Sequence, residues 1–423
     1  MSKDVYKTSR VLYVIEAALE YFISIMVTGA FLAKVTTAIG LSDTLTGILT
    51  SFVSLGCGFQ LIAIFLANKR PVKRWVTVLH SLNQLLFALI YLVPLVPMTA
   101  TQKAAVFIVL LLLGHVLNNV VNSPKINWFM SLIEDGRRGR FTANKEMVSL
   151  IGGMVFSLAM GALIDRYEAM GNTKGAFVVC GVSVFVLMLL HSATLIFSRE
   201  KESACEKTSF GRTLGTLLQD KNLFKVILVG VLWHVVNYAS TPFYGSYQIK
   251  ELGFSMTFVS VLSMAYAIVR TLFSRVMGTL ADRSSFANML RVCFWIMLAG
   301  FAINVFTVPE NGKVLYTVYY VMNAIAAAGI NSATINLIYD YVDKENRTGA
   351  LALSNTLSGF AGFFTTLAVS PLVTRIQTNG NTLFGMRVYA QQVVTVISCV
   401  LLLGLIVYLR VVVDKLKNKR SSS

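Results

Sequence analysis

The feature that most constrains this chain is a series of long apolar runs. A run of about 20 apolar residues spans the hydrocarbon core of a bilayer as one α-helix. The runs are continuous rather than alternating, which argues against a β-barrel. Twelve runs can be marked in the sequence, at 11–34, 44–67, 76–97, 104–123, 147–164, 176–197, 223–244, 256–280, 290–308, 315–337, 351–373 and 389–411. We therefore predict an all-α membrane protein with twelve transmembrane helices.

Composition agrees with a membrane protein and excludes other classes. Hydrophobic residues make up 55% of the 423 residues and charged residues 13%, whereas soluble domains average about 25% charged residues. This composition excludes a disordered chain and an ordinary cytosolic enzyme. The net charge of +17 does not indicate nucleic acid, because the basic residues lie in short loops between apolar runs. The five cysteines lie far apart and show no metal-binding or redox spacing.

The positions of Lys and Arg predict the orientation of the helices. If both termini are cytoplasmic, the inner segments hold most of the 37 Lys and Arg residues. Cytoplasmic loops carry an excess of these residues in most membrane proteins. We therefore expect cytoplasmic N- and C-termini, and contact of the basic tail at 415–420 with anionic lipid headgroups.

The two halves of the chain resemble each other. At a constant offset of 209, the Asn-Ser-x-x-Ile-Asn segment at 122–127 overlays 331–336, and Arg138 falls on Arg347. Composition alone can produce apolar matches between membrane helices, but not a shared polar segment followed by equivalent basic loops. The pattern therefore indicates an internal repeat.

The earlier helices of each half match at slightly larger offsets. Gly40 overlays Gly253 at offset 213, and Ala67 overlays Ala281 at offset 214. Two six-helix halves in parallel orientation are typical of some secondary transporters. We predict two pseudo-symmetric six-helix bundles and a cytoplasmic linker. The predicted bounds are 1–197 for the first bundle, 198–222 for the linker, and 223–423 for the second bundle with its basic tail.

One loop motif carries a family resemblance. The Gly-Thr-Leu-Ala-Asp-Arg segment at 278–283 resembles the loop signature of the major facilitator superfamily, whereas the first-half loop at 67–74 keeps the bases and lacks the acid. The Arg-Gly-Arg run at 138–140 is also similar to bacterial members. The resemblance covers nearly the whole chain. It implies the superfamily fold, symport or antiport by a rocker-switch mechanism, and a bacterial inner-membrane type of plasma membrane, without assigning a subfamily.

Two carboxylates lie deep in a predicted span. Glu16 and Glu20 are four residues apart, so they share one helix face with Tyr13. A charge at bilayer depth costs about 2.5–3.5 kcal/mol, so it is usually retained for a reason. Two carboxylates this close cannot both ionise cheaply, so one is expected to accept a proton near neutral pH. We interpret the pair as the proton-coupling group; a structural pair bonded to Tyr or Arg is the alternative.

Polar side chains also follow one face of the predicted spans at 104–123, 223–244 and 315–337. Polar groups inside a membrane must face protein or water. In the resembled family, the first, fourth, seventh and tenth membrane spans line the central cavity. These stripes could instead hold helices together through hydrogen bonds. The predicted substrate-binding residues are Tyr13, His115, Asn118, Asn119, Asn122, His234, Asn237, Tyr238, Arg270, Tyr319, Tyr320 and Asn323.

Arg270 lies midway along the eighth predicted span, at 256–280. It could hold an anionic group of the substrate or neutralise Glu16 or Glu20. His80 and His191 lie outside the polar stripes and are interpreted as helix residues whose polar atoms have partners within the protein. The four histidines of the chain are too scattered to predict a metal site.

Charged residues of the inner loops are predicted to hold the cytoplasmic gate shut. Bases placed against helix C-termini and acids could tip an equilibrium between two states of similar energy. The alternative is that they only set topology. The gate residues are Lys69, Arg70, Asp135, Arg138, Arg140, Asp282, Arg283, Asp343 and Arg347.

The sequence as a whole predicts a proton-coupled secondary transporter for a small organic solute. We expect a monomer in the lipid bilayer, without cofactor, metal, nucleic acid or catalytic residues. Two alternatives remain open. One is an exporter or flippase of amphipathic drugs or lipids; the other, from a different class, is a transport-inactive membrane receptor or assembly factor.

Overall fold

The computed structural model describes residues 5–62, 71–134, 137–201, 215, 219–342, 346–383 and 385–416. The chain within these ranges is almost entirely helical. The α-helices are α1 Lys7–Met26, α2 Gly29–Ala38, α3 Asp43–Gly58, α4 Val72–Leu89, α5 Ala100–Met130, α6 Arg138–Ala169, α7 Thr173–Phe197, α8 Lys221–Tyr238, α9 Met256–Arg283, α10 Phe286–Val305, α11 Gly312–Tyr339, α12 Arg347–Thr378 and α13 Ala390–Tyr408. Short helical turns at Ile90–Leu95, at 241–251 and at Leu409–Val413 extend α4, α8 and α13.

The helices confirm the predicted membrane protein. Eleven helical segments in the described part of the chain are long and apolar enough to cross a membrane. A twelfth span is obtained if α1 and α2, which are bent by 44° at the break between them, count together. Thr28 at that break has extended backbone, which interrupts the helix. The described residues also hold one short hairpin, in which strand β1 (Thr382–Leu383) pairs with β2 (Met386–Arg387).

Corresponding helices of the two halves end in the same way. Both α6 and α12 are 32 residues long, and their bounds differ by the offset of 209. Each helix is followed by a glycine with positive φ, Gly171 at 69° and Gly380 at 67°. The residue after each glycine donates its backbone N–H five residues back, to Tyr167 and Ile376 respectively. A left-handed glycine that closes such a bond is a common helix stop, because a Cβ atom would be strained there.

The chain divides into two compact units. The first unit comprises Met1–Thr208 together with Ser255–Ser260, and the second comprises Ser209–Phe254 and Val261–Ser423. The division at 208/209 falls within the segment predicted as a linker, most of which lies outside the described residues. The exact bundle bounds stay a prediction.

Within the first unit, four helices surround a common interior. α1 packs against α6 and α7, and α4 packs against α5 and α7. The second unit repeats these pairs: α8 packs against α12 and α13, and α10 packs against α11 and α13. The interior of the first unit, between α1, α4, α5 and α7, contains the candidate functional site.

Candidate functional site

A cluster of ionisable side chains lies inside the first unit. Glu16 on α1, His80 on α4 and His191 on α7 are fully buried, and Lys125 on α5 is 2% exposed. Glu20, one turn after Glu16, has a side chain that is 21% exposed. Four helices therefore each bring an ionisable group to one place.

Lys125 lies at the centre of this cluster. Its ammonium Nζ donates to Glu16 Oε1 at 2.9 Å and also to Glu20 Oε2. The same Nζ lies 3.3 Å from His80 Nε2. Because an ammonium has three protons to donate, Lys125 can contact both carboxylates and the imidazole at once.

The two imidazoles complete the surroundings of Glu16. His191 Nε2 lies 3.1 Å and His80 Nε2 3.4 Å from the same carboxylate oxygen, Glu16 Oε1. His80 Nε2 also lies 3.8 Å from Glu20 Oε1. The two imidazole rings are 4.5 Å apart between centroids. Glu16 thus receives polar contacts from three other helices.

The formal charges of the cluster do not cancel. With neutral imidazoles, two carboxylates share one ammonium, which leaves one negative charge. A charge in the membrane interior costs several kcal/mol unless it is paired. Binding of one proton, or of another cation, would neutralise the cluster. The arrangement is therefore suited to binding and releasing a small cation.

Lys125 was missed in the sequence because its predicted span ended too early. The apolar run ends at 123, directly before Pro124, which places Lys125 in the following loop. Instead, α5 continues through Pro124 to Met130. Lys125 thus supplies one positive charge to the Glu16 and Glu20 pair, and the role of Arg270 stays a prediction.

His80 and His191 each have a polar partner, as predicted for satisfied helix residues, and that partner is Glu16. Both lie beside Glu16, although neither belongs to a polar stripe. A detectable signal was present: an ionisable residue inside an apolar span needs a polar partner. The sequence did not show that the partners of both residues would be the same carboxylate.

Several buried atoms of the cluster have no hydrogen-bond partner among the described residues. They are Glu16 Oε2, His80 Nδ1 and His191 Nδ1. Buried polar atoms are nearly always paired in folded proteins. Exceptions at a charged site are therefore candidate contacts for a proton, an ion or water.

Tyr13 and His115, two predicted substrate-binding residues of the first unit, have different surroundings. Tyr13 is buried in a hydrophobic core, where its ring stacks on Phe129 at 4.2 Å and Lys145 Nζ lies 5.1 Å from its centroid. His115 is buried with its ring 5.0 Å from Phe87. The packing of Tyr13 explains its burial without a ligand, whereas His115 Nε2 has no hydrogen-bond partner among the described residues.

Three asparagines of α5 form the rest of the predicted stripe. Asn118, Asn119 and Asn122 are half-buried. Asn119 Nδ2 donates to the backbone oxygen of His115 at 3.0 Å, and Asn118 Oδ1 is buried without a hydrogen-bond partner among the described residues. Their role in substrate binding stays a prediction.

The predicted residues of the second unit contact aromatic side chains. His234 Nδ1 lies 3.0 Å from the backbone oxygen of Gly230, and its ring is stacked with that of Tyr238 at 5.8 Å. Asn323 Nδ2 donates to the hydroxyl of the buried Tyr319 at 3.2 Å. Of the remaining predicted residues, Asn237 and Tyr320 are half-buried and Arg270 is exposed.

The predicted gate residues are placed only in part. Arg138 Nε donates to the backbone oxygen of Met130, at the end of α5, at 3.2 Å. Its counterpart Arg347 lies over the ring of Tyr339, at the end of α11, at 4.7 Å. Each arginine thus contacts the C-terminal end of the preceding long helix, as expected for a cation at a helix dipole.

The other gate residues show no such contact or are not described. Exposed residues in this group are Arg140, Asp282 and Arg283. Lys69, Arg70, Asp135 and Asp343 lie outside the described residues. Their proposed action on a gate stays a prediction.

Comparison with known proteins identifies the family. The family model described as Major Facilitator Superfamily matches residues 17–366. No curated protein sequence matches the chain.

Several solved structures share the fold. They include a nucleoside transporter, NupG (TM-score 0.69, 14% identity, covering 99% of this chain and 100% of that chain). A D-xylose-proton symporter matches with TM-score 0.69 and 13% identity over 94% of this chain and 97% of that chain. An auto-inhibited POT family peptide transporter matches with TM-score 0.72 and 11% identity over 97% and 98%. At these identities the likeness is one of fold.

Proposed function

Because the chain belongs to the Major Facilitator Superfamily, we propose that it is a secondary active transporter that moves a small organic solute by rocker-switch alternating access. The family and the fold are those of multi-pass membrane transporters. A solute site near the bilayer midplane is typical of such folds. Transport, rather than catalysis, is the activity that the chain is built for.

The cluster of Glu16, Glu20, Lys125, His80 and His191 is our proposed coupling site. It carries the proposal because it places an unbalanced negative charge among buried residues of a membrane-spanning unit. Lys125 contacts both carboxylates, so protonation of one would leave the ammonium to the other. The coupling ion is a proton. Glu20 takes it up, while Glu16 belongs to the same charged site.

The exposure of Glu20 supports its assignment as the group that exchanges protons. Its side chain is 21% exposed, whereas that of Glu16 is fully buried. A proton can therefore reach Glu20 first, while Glu16 is enclosed by Lys125 and the two imidazoles. The charge of Glu16 holds Lys125 in place through this exchange.

The solute is proposed to be a small molecule with several hydrogen-bonding groups. The fold is shared with transporters that are named for nucleosides and for D-xylose with protons. Polar side chains of the first unit, such as His115 and Asn118, would contact such a solute. The protein would act as a monomer in a bacterial plasma membrane with cytoplasmic termini, as the distribution of basic residues suggests.

Transport in proteoliposomes tests the coupling proposal. A solute is first found by screening metabolites for thermal stabilisation of the purified protein. For wild type, an imposed pH gradient should then drive accumulation of that solute above equilibrium. Glu20→Gln should lose this accumulation and retain solute exchange at equal pH, because exchange needs no net proton movement.

A matched control is available in the same unit. Glu168 pairs with Lys34 at 2.8 Å, outside the cluster. Glu168→Gln makes the same chemical change and should leave gradient-driven accumulation intact. Accumulation by Glu20→Gln that still follows the pH gradient would remove Glu20 from the coupling role.

A further inference from the structure

Three metal-ligating atoms converge inside the first unit. They belong to Glu16, His80 and His191, and all lie within 4.8 Å of one another. The three residues come from α1, α4 and α7, and all are fully buried. Sequence spacing did not suggest a metal site, because the residues are brought together only by helix packing.

The distances between these atoms fit a small tetrahedral ion. Zinc bonds to nitrogen and oxygen are about 2.0–2.2 Å long, which places neighbouring ligand atoms of a tetrahedron about 3.3–3.6 Å apart. Glu16 Oε1 lies 3.4 Å from His80 Nε2 and 3.1 Å from His191 Nε2. Only small side-chain movements would therefore be needed to bind such an ion.

The donor set is chemically suited to a divalent transition metal. Two imidazole nitrogens and one carboxylate oxygen are common zinc ligands and leave one vertex of a tetrahedron open. Calcium and magnesium prefer sites made of oxygen ligands only. The unpartnered Oε2 atom of Glu16 offers a second oxygen from the same carboxylate.

Lys125 now occupies the place beside these ligands. Its Nζ lies 2.9 Å from Glu16 Oε1 and 3.3 Å from His80 Nε2. A metal ion and this ammonium cannot both lie there, because like charges repel. Lys125 has an alternative, since it also contacts Glu20. Withdrawal toward Glu20 would free the position.

We propose that Glu16, His80 and His191 bind a divalent transition-metal ion of the zinc type, in exchange for the contacts of Lys125. Binding is reversible rather than structural. The Nδ1 atoms of both histidines have no acceptor among the described residues, whereas tightly bound zinc ligands usually donate that N–H to a partner. The inference goes beyond the proposed transport function and does not depend on the identity of the solute.

Titration with cobalt chloride tests the site without any transport assay. The protein is purified in detergent and its affinity tag removed, so that no tag histidines remain. We expect one Co²⁺ per chain with the visible absorption of a tetrahedral ion, and displacement of Co²⁺ by zinc chloride. Binding to cysteines would be recognised by thiolate absorption in the near ultraviolet.

Variants then assign the ligands. His80→Gln and His191→Gln should each weaken binding by about 100-fold or more, because even changes behind the ligands cost 10–100-fold. Glu168→Gln is the control and should retain binding, since Glu168 pairs with Lys34 outside the cluster. Lys125→Met should bind Co²⁺ more tightly, because the competing ammonium is gone.

A second measurement does not depend on whether the variants fold. X-ray absorption of zinc bound to wild type should show two imidazole ligands and oxygen at the remaining positions. Absence of stoichiometric Co²⁺ binding to wild type would overturn the proposal. So would binding that persists unchanged in the double variant of His80 and His191, or a bound ion without imidazole ligands. These outcomes report metal binding alone and do not decide whether transport is proton-driven, which is tested separately by Glu20→Gln.

Discussion

The two units share one pattern of helix packing, but their interiors differ in chemistry. In the first unit, Glu16 and Glu20 on α1 meet His80 on α4 and Lys125 on α5. The offsets of 213, 214 and 209 that relate the two halves assign a counterpart to each residue. The counterparts, in the same order, are Val229, Trp233, Phe294 and Thr334.

The second unit fills these places with apolar contacts. The rings of Trp233 and Phe294 stack at 5.3 Å, where the first unit has the contact of Glu20 with His80. Val229 and Phe294 are fully buried, and the Thr334 hydroxyl donates to its own helix at Ile330. The comparison shows that the fold does not require charge here. The ionisable groups of the first unit are therefore consistent with the proposed coupling function.

The largest difference is expected on removal of Lys125. Lys125→Met leaves the buried Glu16 and the half-buried Glu20 without a cation, and breaking a buried pair in this way costs about 3–5 kcal/mol of unfolding free energy. Thr334→Val, at the equivalent place in the second unit, loses only a local hydrogen bond and should cost about 1 kcal/mol or less. Unfolding midpoints in detergent compare the two variants. Similar losses would show that the cluster is not held by Lys125.

Replacement of the whole charged set should reverse most of that loss. Glu16→Met, Glu20→Met and Lys125→Met together remove both signs of charge and keep side-chain volume, which gives the first unit an interior like that of the second. Buried ion pairs replaced by apolar residues are often neutral or stabilised by about 1–4 kcal/mol. The triple variant should therefore be more stable than Lys125→Met alone. A triple variant that is less stable would contradict the pairing of these residues.

A smaller contrast is expected at two helix glycines. A Cβ atom on Gly56 would lie 2.7 Å from the backbone oxygen of His115, so α3 and α5 would have to separate. Gly56→Ala should cost about 1–3 kcal/mol, as overpacking does. A Cβ atom on Gly230 meets its nearest neighbours only at 3.4 Å, so Gly230→Ala should be neutral or stabilise by about 0.5–1 kcal/mol through helix propensity. Equal effects in the same unfolding assay would argue against the close packing of α3 on α5.

Much of the architecture followed from the sequence for clear physical reasons. The apolar runs had to be helices, because backbone groups in lipid must be satisfied within the segment. The repeat was visible in polar residues at loops, and α6 and α12 begin and end at the predicted offset. Glu16 and Glu20 stood out because carboxylates are rare at that depth.

The rest of the cluster needed tertiary structure. His80 and His191 are each the single histidine of their helix, and no periodicity relates residues on α4 to residues on α7. Lys125 was hidden by Pro124, since a proline in a predicted helix usually indicates its end. Four separate helices had to be placed together before these residues became one site.

The number of protons that move with each solute molecule tests the central claim most directly. It is measured in proteoliposomes as the pH gradient that just balances a set solute gradient. Wild type should move at least one proton with each solute molecule, and Glu20→Gln should exchange solute without a proton. Equal proton movement by both proteins would contradict the assignment of the charged cluster as the coupling site.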